Sequence, residues 1–243
     1  MPEEYESARE LNLIERFLVA FNALDSHLQR VLGNESPNSF RSAVDLYARR
    51  HKWWRDAELL RTCAGLRNIL VHDKFEPYEY PCVPTEALVT RLEAARDRLL
   101  HPQRAIPKFG RDVVTVQNSD SLAHVLRLVH SLKYSHFPVY EYSKSTAKFR
   151  GVLTENGITR WLAQHSAQDD SLIDLADEPV SAVLLLEEKR HNYEFAEQQA
   201  RVEEILYRFH ENTYLEAVLL TAHGHENEKL VGIVTRWDAL QAD

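Results

Sequence analysis

Apolar residues recur at steps of three or four over the first hundred residues, a spacing typical of helices that bury one face. It predicts a long helix within residues 4–33, a second that begins at Ser39 or Ser42, a third over Asp56–Asp73 and a fourth that begins at Thr85. Serine and threonine are common helix N-caps because their side-chain oxygens accept backbone N–H groups. Residues 1–101 are therefore predicted to form an all-α bundle of four or five helices.

The pattern changes after Pro102 and Pro107, which are expected to end the last helix and stiffen a linker over residues 102–110. Short apolar runs then alternate with amphipathic stretches, which favours an α/β fold. The order strand, helix, strand, strand, helix occurs twice, in residues 111–170 and 171–243. The first copy is predicted as strand Val113–Val116, helix Ser121–Leu132, strands Phe137–Tyr140 and Gly151–Thr154, and helix Glu155–His165. The second is predicted as strand Val183–Leu186, helix Ala200–His210, strands Ala217–Thr221 and Leu230–Thr235, and helix Trp237–Gln241.

A repeated phrase marks the end of the third strand in each copy. Gly151-Val152-Leu153-Thr154 returns as Gly232-Ile233-Val234-Thr235, and each phrase opens a helix that carries a tryptophan, Trp161 or Trp237. Self-similarity of this kind indicates an internal repeat. The repeat resembles the CBS (cystathionine-beta-synthase) domain, which occurs as tandem pairs and often binds adenine nucleotides. The resemblance implies a two-domain α+β protein, with an N-terminal helical bundle and a C-terminal α/β CBS pair.

The CBS resemblance also implies a ligand site in the second copy. In that family an Asp three residues after the strand-ending Thr or Ser commonly holds the ribose, and Thr235 and Asp238 have this spacing. The first copy has Gly157 at the matching position, so we expect one good adenosine site rather than two. The acidic surroundings favour AMP, with ADP or ATP as alternatives. A pair that binds no ligand and serves only as structure stays an alternative.

Further contacts are expected from two neighbouring segments. The stretch His136-Phe137-Pro138 matches the family's apolar strand, whose backbone often contacts the base. Arg236 and His136 are candidate phosphate partners. Trp161 and Trp237 are interpreted as core or dimer-face residues rather than as platforms for the base.

A second motif lies on the third predicted helix. Arg67 is followed by Asn68 and, after three apolar residues, by His72. The motif resembles that of the HEPN family, many of whose members are metal-independent ribonucleases. The resemblance implies that His72 moves a proton, that Arg67 stabilises the charged phosphorane and that Asn68 orients His72 or the phosphate. Because Arg67 and His72 are five positions apart, either the guanidinium has to swing toward the imidazole or the helix has to bend near Asp73.

Basic and aromatic residues just upstream are candidates for RNA contacts within residues 41–75. Cationic side chains contact phosphates and indole rings stack on bases, so the following residues are predicted to bind RNA: Arg49, Arg50, Lys52, Trp53 and Arg55. The alternative is a solvated face with Trp53 and Trp54 packed inward.

Charge and cysteine content narrow the classes of function. Residues 1–110 carry equal numbers of acidic and basic side chains, so the net charge of −8 belongs to residues 111–243, which would repel nucleic acid. Two cysteines without metal-ligand spacing suggest a reducing, cytoplasmic location and no metal site. The acidic first residues do not resemble a signal peptide. We expect a homodimer in which an adenine-nucleotide sensor regulates a ribonuclease; the alternative is a non-catalytic nucleotide-binding and dimerisation module.

Overall fold

The computed structural model describes residues 2–72, 80–143, 146–168, 173–187 and 191–242. The chain divides into two compact units, Met1–Gln103 and Arg104–Asp243. In the described parts of the chain, no helix combines the length and the apolar character that a bilayer span requires.

The N-terminal unit is helical, as predicted. Its described helices are α1 (Pro2–Leu32), α2 (Phe40–Arg50), α3 (Ala57–His72) and α4 (Glu86–Leu100), with a 3-10 turn at Gly33–Glu35 after α1. Two predicted caps form, since Ser39 Oγ accepts the N–H of Ser42 at 3.1 Å and Thr85 Oγ1 accepts that of Leu88 at 3.3 Å. The helices enclose one apolar core, whose fully buried members include Phe17, Leu24, Leu28, Leu60 and Leu92. The predicted end of α3 at Asp73 lies outside the described residues.

The C-terminal unit repeats one topology twice. After a short helical segment, α5 (Ala105–Lys108), the first copy contains β1 (Val116–Gln117), α6 (Leu122–Leu132), β2 (His136–Ser143), β3 (Thr146–Thr154) and α7 (Glu155–Gln168). Helix α8 (Val180–Glu187) comes next. The second copy contains β4 (Tyr193–Glu197), α9 (Val202–Glu211), β5 (Ala217–Thr221), β6 (Gly232–Thr235) and α10 (Arg236–Ala242).

Each copy builds a three-stranded sheet with the same pairing. The first two strands are parallel and the last two antiparallel, in the orders β1-β2-β3 and β4-β5-β6. Helices cover the outer faces, and the two sheets share an apolar layer formed by Phe149, Val152, Ala217, Leu219 and Ile233. This layer joins the two copies into one body.

One predicted strand is wrong. Residues Val183–Leu186, expected as a strand, belong to helix α8. A run of four apolar residues fits a buried strand and a buried helix equally well, so periodicity alone does not separate them. In α8, Val180, Val183 and Leu184 are buried against the first-copy core, which is the spacing of one helix face. The true first strand of the second copy is β4, which the sequence analysis missed because two of its five residues are glutamates and no apolar run in it exceeds two residues.

Most of the segment predicted as a linker packs into the C-terminal unit. The N–H groups of Ala105 and Ile106 donate to the carbonyls of Ala200 and Gln198 at 2.8 and 3.1 Å. A Cβ on Gly232 would lie 2.6 Å from the carbonyl oxygen of Phe109, so only glycine fits there. The glycine that begins the second repeated phrase therefore allows this segment to lie against β6.

Candidate functional site

The strand-to-helix junction of the second copy is held together by Thr235 and Asp238. Asp238 lies in the first turn of α10, and its Oδ2 accepts the Thr235 N–H at 2.8 Å and the Thr235 hydroxyl at 2.7 Å. Thr235 Oγ1 in turn lies 3.3 Å from the Asp238 amide nitrogen, which donates to it. This reciprocal arrangement caps the helix and fixes the carboxylate at its N-terminus.

Arg111 completes this cluster from a distant part of the sequence. Its Nη2 lies 2.8 Å from Asp238 Oδ2 and 2.7 Å from the Ile233 carbonyl, and its Nη1 lies 3.4 Å from Asp238 Oδ1. Burial opposes ionisation of Asp238, but the hydrogen bonds from Thr235 and the charge of Arg111 outweigh it. The pKa of Asp238 is therefore lowered, and the carboxylate is ionised at neutral pH.

A cavity of about 280 Å³ opens beside this carboxylate, and we call it the second-copy cleft. The sequence analysis predicted three of its lining residues, Thr235, Asp238 and His136. The other lining residues were not predicted to bind the ligand: Arg111, Asp112, Val113, Val114, Lys133, Tyr134, Ser135, Ile233 and Trp237. The structure thus brings the predicted carboxylate together with two cations and two aromatic rings.

His136 faces this cleft from the start of β2. Its Nδ1 lies 2.8 Å from the Ser135 hydroxyl, and its Nε2 lies 3.5 Å from Glu216 Oε2, which is long for a hydrogen bond. The interaction with His136 is the largest influence on the pKa of Glu216, which is lowered although burial opposes it. His136 therefore has an acidic neighbour, which weakens its case as a phosphate partner.

Three predicted ligand residues do not line the cleft. Phe137 and Pro138 are buried, and Phe137 belongs to the first-copy core. The Arg236 guanidinium donates instead to backbone carbonyls around the end of α9, namely those of Phe209, Asn212, Thr213 and Leu215 at 2.7–3.3 Å. Arg236 thereby provides donors for carbonyls at and just after the end of α9, which is a structural role.

The matching junction in the first copy is closed by a glutamate. Glu187, at the end of α8, is 3% exposed, and its Oε1 accepts the Thr154 hydroxyl at 2.5 Å. Its Oε2 accepts from Arg160 Nη2 at 3.1 Å and from Asn192 Nδ2 at 3.2 Å. A Cβ on Gly157 would lie 1.8 Å from Glu187 Oε1. The space next to Thr154 is therefore filled by the protein's own carboxylate.

The opening next to Glu187 in the first copy is small. A cavity of about 70 Å³ lies next to Glu187, and its other lining residues are Gly151, Val152, Leu184, His191, Asn192 and Tyr193. Ligand pockets commonly start at roughly 300 Å³. The second-copy cleft is close to this size and the first-copy cavity is far below it.

Comparison with known protein families finds the same domain twice in this chain, in agreement with the internal repeat. The family described as the CBS domain matches residues 109–164 and 188–243. The C-terminal unit is a tandem CBS pair. A comparison with curated proteins found no match.

Several solved structures resemble the CBS pair. A CBS-domain-containing protein from Agrobacterium tumefaciens is 20% identical, covers 57% of this chain and 89% of its own, and has a TM-score of 0.43. A CBS domain pair in complex with 5-methylthioadenosine and S-adenosyl-L-methionine is 15% identical, with coverage of 58% and 95% and a TM-score of 0.43. The CBS domain of a bacterial Mg²⁺ transporter of the CNNM/CorC family, in complex with ATP, is 16% identical, with coverage of 58% and 81% and a TM-score of 0.36.

The family match does not include the helical unit. The HEPN-like assignment of residues 1–101 therefore stays a prediction. Its motif residues are partly brought together. Arg67 Nη1 lies 3.2 Å from His72 Nε2 at the end of α3, so the guanidinium does swing toward the imidazole. Arg67 and Asn68 also line a cavity of about 400 Å³ between α1, the start of α2 and α3, but His72 is not among its lining residues.

The predicted RNA-binding residues divide between the surface and the core. Arg49, Arg50, Lys52 and Arg55 are exposed, and Arg50 pairs with Glu35. Trp54 is buried, and Trp53 is half-buried and packs against the helical core, as in the alternative interpretation. Residues 73–75 of the predicted RNA-binding range lie outside the described residues.

In the described parts of the chain, no group of three or more His, Cys, Asp or Glu side chains could hold a metal ion.

Proposed function

We propose that the CBS pair binds one adenine nucleotide in the second-copy cleft and thereby regulates the protein. The observation that supports this is an ionised, firmly held carboxylate at the edge of a cavity large enough for a nucleoside. Asp238 Oδ2 has three donors, whereas the long contact from Arg111 Nη1 is the only one that Oδ1 makes with the described residues. Because a carboxylate oxygen accepts about two hydrogen bonds, Oδ1 has acceptor capacity left for a ribose hydroxyl.

The base has two aromatic neighbours in this cleft. Trp237 is 68% exposed and Tyr134 is 42% exposed, and both line the cavity. An exposed ring beside a cavity loses solvent contact when a base stacks on it, and such stacking contributes roughly 1–3 kcal/mol. We therefore assign Trp237 to the ligand rather than to the core.

The stoichiometry is one ligand per chain. Glu187 fills the equivalent position of the first copy, and Gly157 supplies no carboxylate to hold a ribose there. AMP is the favoured ligand, because residues 111–243 carry the whole net charge of −8 and give additional phosphates no long-range attraction.

Calorimetric titration with AMP, ADP and ATP tests this proposal. We expect about one site per chain, and a loss of about 1.5–3 kcal/mol in Asp238→Ala, the usual contribution of a hydrogen bond to a charged group. Asp238→Asn keeps the shape of the cap and should lose part of this affinity. Glu155→Ala is the matched control, because Glu155 is an exposed acid in the first turn of α7. Equal affinity in Asp238→Ala and wild type would place the ligand elsewhere.

We propose as a second candidate that the N-terminal unit cleaves RNA. The observation that favours it is the 3.2 Å contact between Arg67 Nη1 and His72 Nε2. A guanidinium has no acceptor, so the imidazole nitrogen accepts in this contact and a cation is held beside a proton-transfer group. In HEPN relatives two such helices meet across a dimer, so we propose a cytoplasmic homodimer whose activity the nucleotide controls. A non-catalytic dimerisation module is the alternative.

Incubation of single-stranded RNA with the protein and EDTA tests this second proposal. Cleavage should leave 2′,3′-cyclic phosphate or 3′-phosphate ends, and His72→Ala should slow it by ~10²–10⁴. Arg67→Lys should also be impaired, because a point charge does not replace a planar fork. Light scattering that reports a monomer of about 28 kDa at micromolar concentration would exclude a cleft shared by two subunits. Intact RNA, with and without AMP, would favour the non-catalytic module.

A further inference from the structure

The helical unit contains a cavity of about 400 Å³ that we call the helical-unit pocket. Its volume lies within the range of small-molecule sites, roughly 300–1,000 Å³. The lining residues that matter for its chemistry are Asp25, Asn38, Phe40, Arg41, Gly65 and Arg67. We propose that this pocket binds one nucleotide unit, free or within single-stranded RNA, whose base carries an exocyclic amine. Catalysis is not required for this binding, because His72 is not among the residues that line the pocket.

Gly65 keeps the pocket open. It lies in the middle of α3 without a positive φ, and a Cβ added to it would have no described atom within 4 Å beyond its own helix. Glycine is the least favourable helix residue after proline, because its backbone loses the most freedom. At Gly157 the close approach of Glu187 accounts for a helical glycine, but no such neighbour lies near Gly65 among the described residues. The missing side chain therefore serves the space itself, which points to an occupant.

Two guanidinium groups line the pocket without an acidic partner among the described residues. Asp45 lies one turn after Arg41 on α2, but it pairs with Arg61 at 2.7 Å. Arg67 Nη1 contacts His72 Nε2 at 3.2 Å, which uses one of the five N–H groups of the guanidinium. Guanidinium groups bind phosphate through paired, charge-assisted hydrogen bonds. The pocket therefore has donors available for the anionic group of a ligand.

A carboxylate in the same pocket narrows the class of ligand. Asp25 forms no ion pair with the described cations, and its Oδ1 lies 3.4 Å from Gln29 Nε2, which is a long contact. A carboxylate accepts hydrogen bonds and repels a ligand that is anionic throughout. The Asn38 side chain adds one acceptor and two donors. The ligand therefore combines an anionic group with a part that offers N–H donors, as a phosphorylated adenine, cytosine or guanine nucleoside does.

Phe40 supplies a ring for the planar part of the ligand. It is half-buried, and its ring is held by Phe21 with 4.2 Å between the ring centroids. Aromatic side chains stack on bases with little preference for their identity, so selectivity has to come from Asp25. Cytosine presents an amine donor where thymine-type pyrimidines such as uracil present a carbonyl acceptor. The pocket is therefore expected to bind CMP more tightly than UMP.

Calorimetry with CMP and UMP on the full chain tests this selectivity. Wild type should prefer CMP by roughly 10-fold or more, the effect of one hydrogen bond to a charged group, and Asp25→Asn should reduce this preference to less than about threefold. Gly65→Leu puts a side chain into the pocket and introduces a good helix former, so it should fold and weaken CMP binding roughly tenfold or more. Arg41→Gln should weaken both nucleotides. Ala87→Leu and Arg30→Gln are the matched controls, since both residues are exposed on helices outside the pocket.

A second measurement distinguishes a free nucleotide from one within a strand. Fluorescence anisotropy follows the binding of labelled oligo(C) and oligo(U) made of 2′-O-methyl RNA, which lacks the attacking hydroxyl and stays intact. A loss of oligo(C) binding in Gly65→Leu would assign the pocket to a nucleotide within RNA. A loss of CMP binding alone would assign it to a free nucleotide.

The second-copy cleft is separated from this pocket by Asp238→Ala. This change should spare the binding that Gly65→Leu removes. If Asp238→Ala abolishes CMP binding and Gly65→Leu does not affect it, the nucleotide belongs to the second-copy cleft, and the proposal for the helical unit is overturned while that for the cleft stands. Equal affinity for CMP and UMP in wild type would also overturn it. If Gly65→Leu does not fold, the ratio of CMP to UMP affinity in Asp25→Asn decides.

Discussion

In the second copy of the repeat the carboxylate beside the strand-ending threonine comes from the same turn, as Asp238, and borders an open cavity. In the first copy the carboxylate beside Thr154 comes from Glu187, thirty-three positions further along the chain, and leaves almost no space. The two junctions share strand, threonine and helix. They differ in which element supplies the negative charge.

This difference separates what a repeat specifies from what it does not. The shared phrase fixes the strand and the threonine, because both copies need the same turn into a helix. The carboxylate that pairs with this threonine comes from the same turn in the second copy. In the first copy it comes from the separate helix α8. A single glycine, Gly157, makes room for Glu187, since any side chain there would meet its carboxylate.

The two tryptophans of the repeat should respond to mutation in opposite ways. Trp161 is 2% exposed and lies in the first-copy core, whereas Trp237 is 68% exposed. Trp161→Ala should therefore cost about 3–5 kcal/mol of unfolding free energy. Trp237→Ala should cost less than about 1 kcal/mol but weaken AMP binding. Urea unfolding and calorimetry of both variants check this, and equal destabilisation would contradict the assignment of Trp237 to the cleft.

The closure of the first copy predicts a coupled effect of two residues. Glu187→Ala leaves three buried or half-buried donors without their acceptor and should lower the unfolding free energy by about 2–4 kcal/mol. Gly157→Ala should also destabilise wild type, because the new Cβ meets Glu187 Oε1. In the Glu187→Ala background the same glycine change should cost much less. Denaturant unfolding of the four proteins measures the coupling, and additive losses would show that the clash is relieved in another way.

The smallest expected effect is the pH dependence of stability that Asp238 gives to the second-copy junction. The folded-state pKa of Asp238 is lowered, so its stabilising contribution is present above the ordinary pKa of aspartate and is lost as the pH falls through the folded pKa. The stability difference between wild type and Asp238→Asn should be below about 1 kcal/mol at neutral pH and should close below about pH 4. Thermal unfolding between pH 2 and 7 checks it; a difference that grows with acidity would have the wrong sign.

Sequence reasoning reached the elements that depend on local pattern. The amphipathic helices, the caps at Ser39 and Thr85 and the repeated junction are encoded within a few residues of each other. The error at α8 has a physical cause, because four consecutive apolar residues carry no period. The predicted strand Val113–Val116 is shorter in the structure, where β1 spans Val116–Gln117.

The cleft was only partly predictable for a different reason. Asp238 and Thr235 are three residues apart and belong to one motif, but Arg111 lies 127 positions before Asp238 and no spacing connects them. Arg236 was a reasonable candidate for a phosphate partner because it follows Thr235 directly. Consecutive residues at the start of a helix point in different directions, however, and Arg236 points to backbone carbonyls. Only the fold shows which of the two arginines lines the second-copy cleft.

The contact between Gly157 and Glu187 also constrains the order in which descendants of this protein can change. A lineage that first replaced Gly157 with an aspartate would place a side chain against Glu187. A lineage that first lost Glu187 would leave Thr154, Arg160 and Asn192 without their shared partner. Each single step is unfavourable until the other has occurred. The asymmetry between the two copies is therefore resistant to single substitutions, and its removal requires both changes together or prior stabilisation elsewhere.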